Sequence, residues 1–338
     1  MADDRLQFGW KVAPGGYRWV PAVDVKRPEA LVLEGANRSQ LALVPVEDGP
    51  IAGAGASPLR PESDAALFRN FAELRPDEGS ILAFAGRHGS LCRFEFFPAT
   101  RTESVGGSPM CGTLLINWQD NISAMQRLVG LWDLLREPDR ERLAAHILWQ
   151  ETATEGLSVH FDSHPDGGSA GGPALGFQRT RAVIASRDSE PELLAEFEAG
   201  DPVAPAWAYL QQDLDLHLHH VADGLAAVAA WDPKRGRPAL RFEAPTLVSL
   251  LWVQMADAVA NDRTFGRCRE CGRWFAVAPG AARGHRRTCS NACRSRSFRE
   301  RQERARQMYT AQKSFEEIAK ELDSDVATVR KWITGITE

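Results

Sequence analysis

Four cysteines confined to one short stretch limit what this chain can build more than any other feature. Cys268, Cys271, Cys289 and Cys293 follow the spacing C-x2-C-x17-C-x3-C, two close pairs of the kind that ligate a metal. A structural Zn²⁺ takes four ligands at tetrahedral corners, and thiolates are donors it favours. Two cysteines with two residues between them wrap a tight turn around an ion, and Gly272 directly after the first pair frees that turn. The second pair encloses Ser290 and Asn291, either of which would cap a helix. Arg294 to Tyr309 then continues without Gly or Pro. The competing reading is two unrelated pairs of buried thiols.

Positive charge surrounds these cysteines. From Arg263 to Arg306, thirteen arginines stand against Glu270, Glu300 and Glu303, a formal +10. Four thiolates around one Zn²⁺ leave a unit of about −2, so some arginines neutralise the site and a surplus of about +8 remains. Arginine is the better fork for phosphate oxygens. Phe298, Ala305 and Tyr309 share one helical face, with the arginines spread over the others. That pattern suits a helix docked by a narrow stripe while it presents charge to a polyanion. Arg286, Arg287, Arg294, Arg296, Arg299 and Arg301 are the residues expected to meet phosphate. A solvated charged helix is the plainer alternative.

The basic character is local. The 338 residues carry a net charge of −5, so everything outside the +10 segment sums to −15. A hydrophobic content of 43% allows two or three domains with their own cores. The start, MADDRLQFGW, is acidic and polar, so no signal peptide is expected. Thr246 to Ala260 is too short and interrupted to span a bilayer. Six cysteines, of which only Cys92 and Cys111 lie outside the metal set, fit a secreted disulfide framework poorly. A cytoplasmic location is expected.

Residues 1–262 read as an α+β region, mainly helical with short strands and hairpins. Short strands fall in the first fifty residues (GWKVAPGGYRWVPAV, ALVLEG, LALVPV), with Gly15-Gly16 as a turn. Glycine- and proline-rich loops follow at 48–62 and 98–112. Helices are expected from Ser63 to Leu74, Ser80 to Arg87, Leu115 to Glu137 and Arg140 to Trp149. The third carries Ile116, Ile122, Met125, Leu128, Leu131, Trp132 and Leu135 at helical spacing. A strand pair spans 157–187 around a loop holding Gly167-Gly168-Ser169-Ala170-Gly171. That loop matches G-x-S-x-G in letters only, for a nucleophile elbow needs a buried strand before it and a helix after. Pro205 to Val221 is a helix with Trp207, Leu210, Leu214, Leu218 and Val221 as its stripe; His217 and His220 lie one turn apart, as surface histidines or a weak metal pair. A hairpin turns at Asp232 to Gly236, and a helix opened by Pro245 runs to Ala260. No nucleophile, base and orienting group assemble in this region, so no catalytic residue is named.

The last segment, KSFEEIAKELDSDVATVRKWITG, holds a capping box in Ser314 and Glu317. Ile318, Ala319 and Leu322 form the inner face of one helix, and Val326, Val329, Trp332 and Ile333 that of a second. Asp323-Ser324-Asp325 breaks the two, and Asp323 suits a left-handed turn better than most residues. Through Ile318, Ala319, Leu322, Thr328, Val329 and Trp332 the segment resembles the helix-turn-helix of bacterial regulators, transposases and resolvases. That resemblance implies that Ala327, Thr328, Arg330 and Lys331 face the major groove or its phosphates. A helical hairpin packed on the body or on a partner is the alternative. The cysteine pairs, one on a turn and one at a helix start, resemble a treble-clef finger. With SILAFAGRHGSL, the Trp118 to Leu135 helix and C-x2-C-G-R-W-F…R-x-C-S-x-x-C-R-x-R, the chain resembles bacterial proteins ending in a CGNR-like zinc finger, although Arg294-Ser295-Arg296 follows Cys293.

The expected organisation is a sensor or partner region at 1–262, a four-cysteine zinc finger with basic helix at 263–311 and a helix-turn-helix at 312–338. The expected function is that of a DNA-binding transcriptional regulator with one structural zinc. The partners would be double-stranded DNA and a second copy or another protein, with no membrane. Two rivals stand beside it: an antitoxin-like adaptor whose finger binds protein, and a nucleic-acid enzyme or recombinase accessory with its site in the N-terminal region.

Overall fold

The computed structural model describes residues 6–8, 15–21, 41–46, 64–91, 113–138, 140–152, 156–165, 174–220, 226–232, 237–244, 246–277 and 287–335. The chain is α+β and separates into two units, Met1–Asp262 and Arg263–Glu338. The first contains, in chain order, β1 (Leu6–Phe8), β2 (Tyr17–Pro21), β3 (Leu41–Pro45), α1 (Leu67–Ala72), α2 (Glu78–His88), β4 (Thr113–Leu114), α3 (Leu115–Arg136) and α4 (Glu141–Ala144). It continues with β5 (Ile147–Thr152), β6 (Gly156–Asp162), β7 (Arg181–Ser186), α5 (Pro191–Ala195), α6 (Val203–His220), β8 (Ala226–Asp232), β9 (Arg237–Ala244) and α7 (Leu247–Ala260). Three small sheets result, ordered β1-β9-β8, β2-β3-β4 and β5-β6-β7. All their pairings are antiparallel except β1 with β9.

Helix α3 organises this unit. Trp118, Ile122, Met125, Leu128, Leu131, Trp132 and Leu135 are buried along it, and it packs on α1, α6 and α7. Two arginines fix its neighbours. Arg69 of α1 forks onto Asp133 at 2.9 and 2.6 Å. Arg127 reaches Asp213 of α6 at 2.7 Å and the hydroxyl of Thr180 at 2.9 Å. Burial disfavours the Arg127 charge, but Asp213 and Tyr209 outweigh it and raise its pKa.

Several expectations are corrected. The helix expected from Arg140 to Trp149 stops at Ala144, and Ile147–Thr152 forms β5 on β6. The apolar run there is too short to tell helix from strand, and pairing decides it. Ile116 is half-exposed although it sits at helical spacing. On α6 the buried face is Ala206, Tyr209, Leu210, Asp213 and Leu214, and Trp207 lies 40% exposed. Its stripe is rotated because the buried Arg127 draws Asp213 inward. Helix α7 is capped by Thr246, whose hydroxyl accepts the Ser249 N–H. The ALVLEG segment, the loops at 48–62 and 98–112, residues 167–171, the 233–236 turn, Pro245, Cys92 and Cys111 lie outside the described residues.

The second unit adds β10 (Thr264–Arg267), β11 (Trp274–Val277), α8 (Asn291–Thr310), α9 (Phe315–Glu321) and α10 (Val326–Thr334). β10 and β11 form an antiparallel hairpin. Helices α8, α9 and α10 share one core of Ala305, Met308, Ile318, Ala319, Leu322, Val329 and Trp332, with Phe315, Val326 and Ile333 packed against it. Met308 replaces the expected Tyr309 in that core, while Tyr309 stacks on Phe315 at 5.2 Å. No helix among the described residues is long and apolar enough to cross a membrane.

Candidate metal centre and basic helical unit

The hairpin β10–β11 closes through residues 268–273, which carry the first cysteine pair. Cys268 N–H donates to the Arg273 carbonyl at 2.9 Å, and Gly272 N–H to the Cys268 carbonyl at 2.8 Å. Gly272 holds φ +72°, which glycine adopts without strain. The second pair stands at the start of α8: Cys289 precedes the cap, and Ser290 Oγ accepts the N–H of Cys293 at 3.2 Å. A hydrogen bond from Arg269 N–H to the Arg287 carbonyl, 3.0 Å, draws the two pairs together.

The four Sγ atoms lie within 4.8 Å of one another, all as free thiols. Cys271 to Cys289 and Cys289 to Cys293 are each 3.6 Å apart. A tetrahedral Zn²⁺ with bonds of about 2.3 Å requires sulfur–sulfur edges of about 3.8 Å. Among the described residues, this is the only cluster of three or more His, Cys, Asp or Glu placed to hold an ion. Cys268 and Cys293 are buried, and Phe275 and Val277 cover them.

Electrostatics agree with a cation. Burial opposes the Cys268 thiolate, yet main-chain N–H groups of Cys271, Cys289 and Glu270 outweigh it and bring the thiol to about 6. Cys271 is lowered too: burial opposes it, and the Arg273 N–H and side chain favour its thiolate. Cys289 is pushed up to about 12 by burial and by the sulfurs of Cys271, Cys293 and Cys268. Four thiolates in this space need positive charge between them, which a divalent ion supplies. The cluster is therefore compatible with a zinc finger.

The arginines are placed unevenly. Arg301 lies half-buried, donating to the carbonyls of Leu322 at 2.7 Å and Asp323 at 3.2 Å with its guanidinium 5.2 Å above the Trp332 ring. Arg304 pairs with Glu321 at 3.0 Å, and Arg306 donates to the Trp332 carbonyl at 3.3 Å. Arg287 reaches Asp323 at 3.2 Å, and Arg296 lies 3.6 Å from Glu270. Arg294 and Arg299 are exposed, their side chains bonded to Asn291 and to the Ser295 carbonyl within α8. Arg286 lies outside the described residues. On α10, Ala327, Arg330 and Lys331 are exposed opposite Val329 and Trp332, and Arg330 lies over Phe315 at 5.5 Å. Thr328 is half-buried, its hydroxyl bonded to the cap Asp325 at 2.7 Å.

Sequence reasoning missed the part-buried placement of Arg301 and the partners that Arg304 and Arg306 find within the unit. A usable signal existed: Phe298, Arg301, Ala305 and Met308 fall at i, i+3, i+7 and i+10, one helical stripe. Phe298 meets Trp332 edge-on at 5.7 Å. His217 stacks on Trp252 at 3.8 Å. Comparison of the chain with known protein families, curated proteins and solved structures gives no match.

Proposed function

We propose that Arg263–Glu338 is a zinc-stabilised module that binds double-stranded DNA, as part of a bacterial transcriptional regulator. The observation that carries this reading is the two-faced α10. Val329 and Trp332 hold it to α8 and α9, and the opposite side offers Ala327, Arg330, Lys331 and Thr334 to solvent. A second helix of a short pair, standing on a third, with a basic outer face, has the form that enters a major groove. Asp323 holds φ +48° in the joining turn, which keeps the pair close. The resemblance to treble-clef fingers and to regulator helix pairs supports the same reading. In it, Cys268, Cys271, Cys289 and Cys293 bind one Zn²⁺, which supplies fold stability and leaves no open position for catalysis. Arg330 and Lys331 meet the groove or its phosphates beside Ala327 and Thr328. Arg294 and Arg299 are the first choice for phosphate contact from α8; Arg287, Arg296 and Arg286 are further candidates, whereas Arg301 is engaged inside the unit.

The test is binding of the zinc-loaded protein to random-sequence duplex DNA across a salt series. The logarithm of affinity is expected to fall with log salt, by about 0.9 per phosphate contact. Lys331→Ala should weaken binding and reduce that slope by about one contact. One observation favours a protein partner instead: Arg287, Arg296, Arg301, Arg304 and Arg306 all have intramolecular partners. Binding that is weak and flat with salt would select that reading.

A further inference from the structure

Helix α8 serves two structures at once. Its first turn carries Cys293 of the metal cluster, and its last two turns give Ala305 and Met308 to the core shared with α9 and α10. No side chain between them, from 294 to 304, is buried. Isolated helices shorter than about 12–15 residues are marginal in water, so this stretch depends on its two ends. Yet it carries the groups that secure the helical pair: Phe298 against Trp332, and Arg301 on the carbonyls of Leu322 and Asp323. A second line runs beside it. The Arg287 carbonyl accepts from Arg269 in the cysteine turn, and the Arg287 guanidinium reaches Asp323.

We propose that a metal ion at the four cysteines orders the turn between α9 and α10 through α8, with Arg301 as the coupling residue and Arg287 as a weaker second. The helical pair is then tuned by an ion that it does not touch. This inference rests on the metal assignment and is independent of DNA. When the ion leaves, Cys289 and Cys293 no longer anchor the helix start. Fraying through Phe298 to Arg301 releases the Leu322 and Asp323 carbonyls. The core at Ala305 and Met308 keeps α9 and α10 folded, so the turn loosens and the pair persists. Arg301 dominates because its bonds are charge-assisted and meet the carbonyl end of α9. The Arg287–Asp323 pair is exposed, with side chains 50% and 81% accessible, and contributes less.

Amide hydrogen exchange on the full chain tests this, with zinc bound and after chelation, metal content being measured in parallel. The Ser324 N–H, bonded to the Ala319 carbonyl, and the Thr328 N–H, bonded to Asp325, report the turn. Chelation should speed their exchange by about tenfold or more, and that of Ile318 and Val329 by less than about threefold. Zinc-loaded Arg301→Gln should exchange at Ser324 like stripped wild type, with its metal content intact. If that variant loses its circular dichroism signature, Arg287→Gln serves, and chelation should then change Ser324 less than in wild type. A zinc-binding wild type whose Ser324 exchange ignores chelation overturns the coupling, as does Arg301→Gln with full metal dependence. A protein that binds no zinc overturns the metal assignment and this inference with it, whatever its DNA affinity.

Discussion

Asp162 is 1% exposed and keeps its charge through four donors. Arg179 bonds it at 2.8 and 3.3 Å, Arg181 at 2.6 Å and the His164 N–H at 2.9 Å. Burial works to raise its pKa, and these donors outweigh burial, bringing it from 3.8 to about 2. The sign follows. A carboxyl depressed on folding stabilises the fold fully above its unfolded value and loses that contribution as pH falls through the folded one. Asp162→Asn should therefore cost on the order of 2 kcal/mol at neutral pH. In urea unfolding, the gap between variant and wild type should hold down to pH 3.8 and close as pH falls towards about 2. A gap unchanged across that window would mean that the charge of Asp162 does not matter. His146 shows the opposite balance nearby: burial lowers its pKa despite the Asp162 carbonyl 2.8 Å from Nδ1.

Short helices depend on their ends, and α9 is seven residues long. Its Ser314 hydroxyl accepts the Glu317 N–H at 3.2 Å while Glu317 accepts the Ser314 N–H at 2.8 Å, satisfying two otherwise orphaned donors. The Ser314 N–H and hydroxyl also hold the Glu317 carboxyl below its ordinary value. Ser314→Ala should cost about 1 kcal/mol, read as a drop of several degrees in the melting of the C-terminal unit. No drop would mean that packing alone holds α9. This box was legible in the sequence because capping is local chemistry with a fixed spacing. The cysteine cluster was legible for the same reason, and so were α3, the Asp232 hairpin and the bounds of α8, each from period or turn residues. What was not legible depended on distant partners. Ile147 became a strand residue because β6 lay beside it, and Trp207 stayed outside because Asp213 had to reach Arg127. Arg301 looked like a phosphate ligand because sequence gives charge without direction, and the Leu322 carbonyl that accepts from it lies 21 positions away.

At the scale of the molecule, the two units differ in charge and in what holds them. Arg263–Glu338 carries seventeen basic and nine acidic residues, +8, which leaves −13 for Met1–Asp262. The first unit has a large apolar core around Trp118, Trp132 and Trp252; the second has two small clusters. Calorimetry of the zinc-loaded protein should show two transitions, and a strong chelator should lower only one, since metal binding adds to the stability of the fold that holds it. A single transition that moves as a whole would mean that the two units unfold together. Within the second unit, α8 runs from the metal cluster into the helical core, so the residues between Cys293 and Ala305 set a rotational phase. Each residue inserted there would turn the helical pair about the α8 axis by roughly 100° relative to the cysteines, carrying Asp323 out of reach of Arg287. An added seven residues, close to two whole turns, would restore the rotational phase but move the pair about 10 Å further along the axis. For the fold of this unit, the stretch with no buried side chain is thus constrained more in length than in composition.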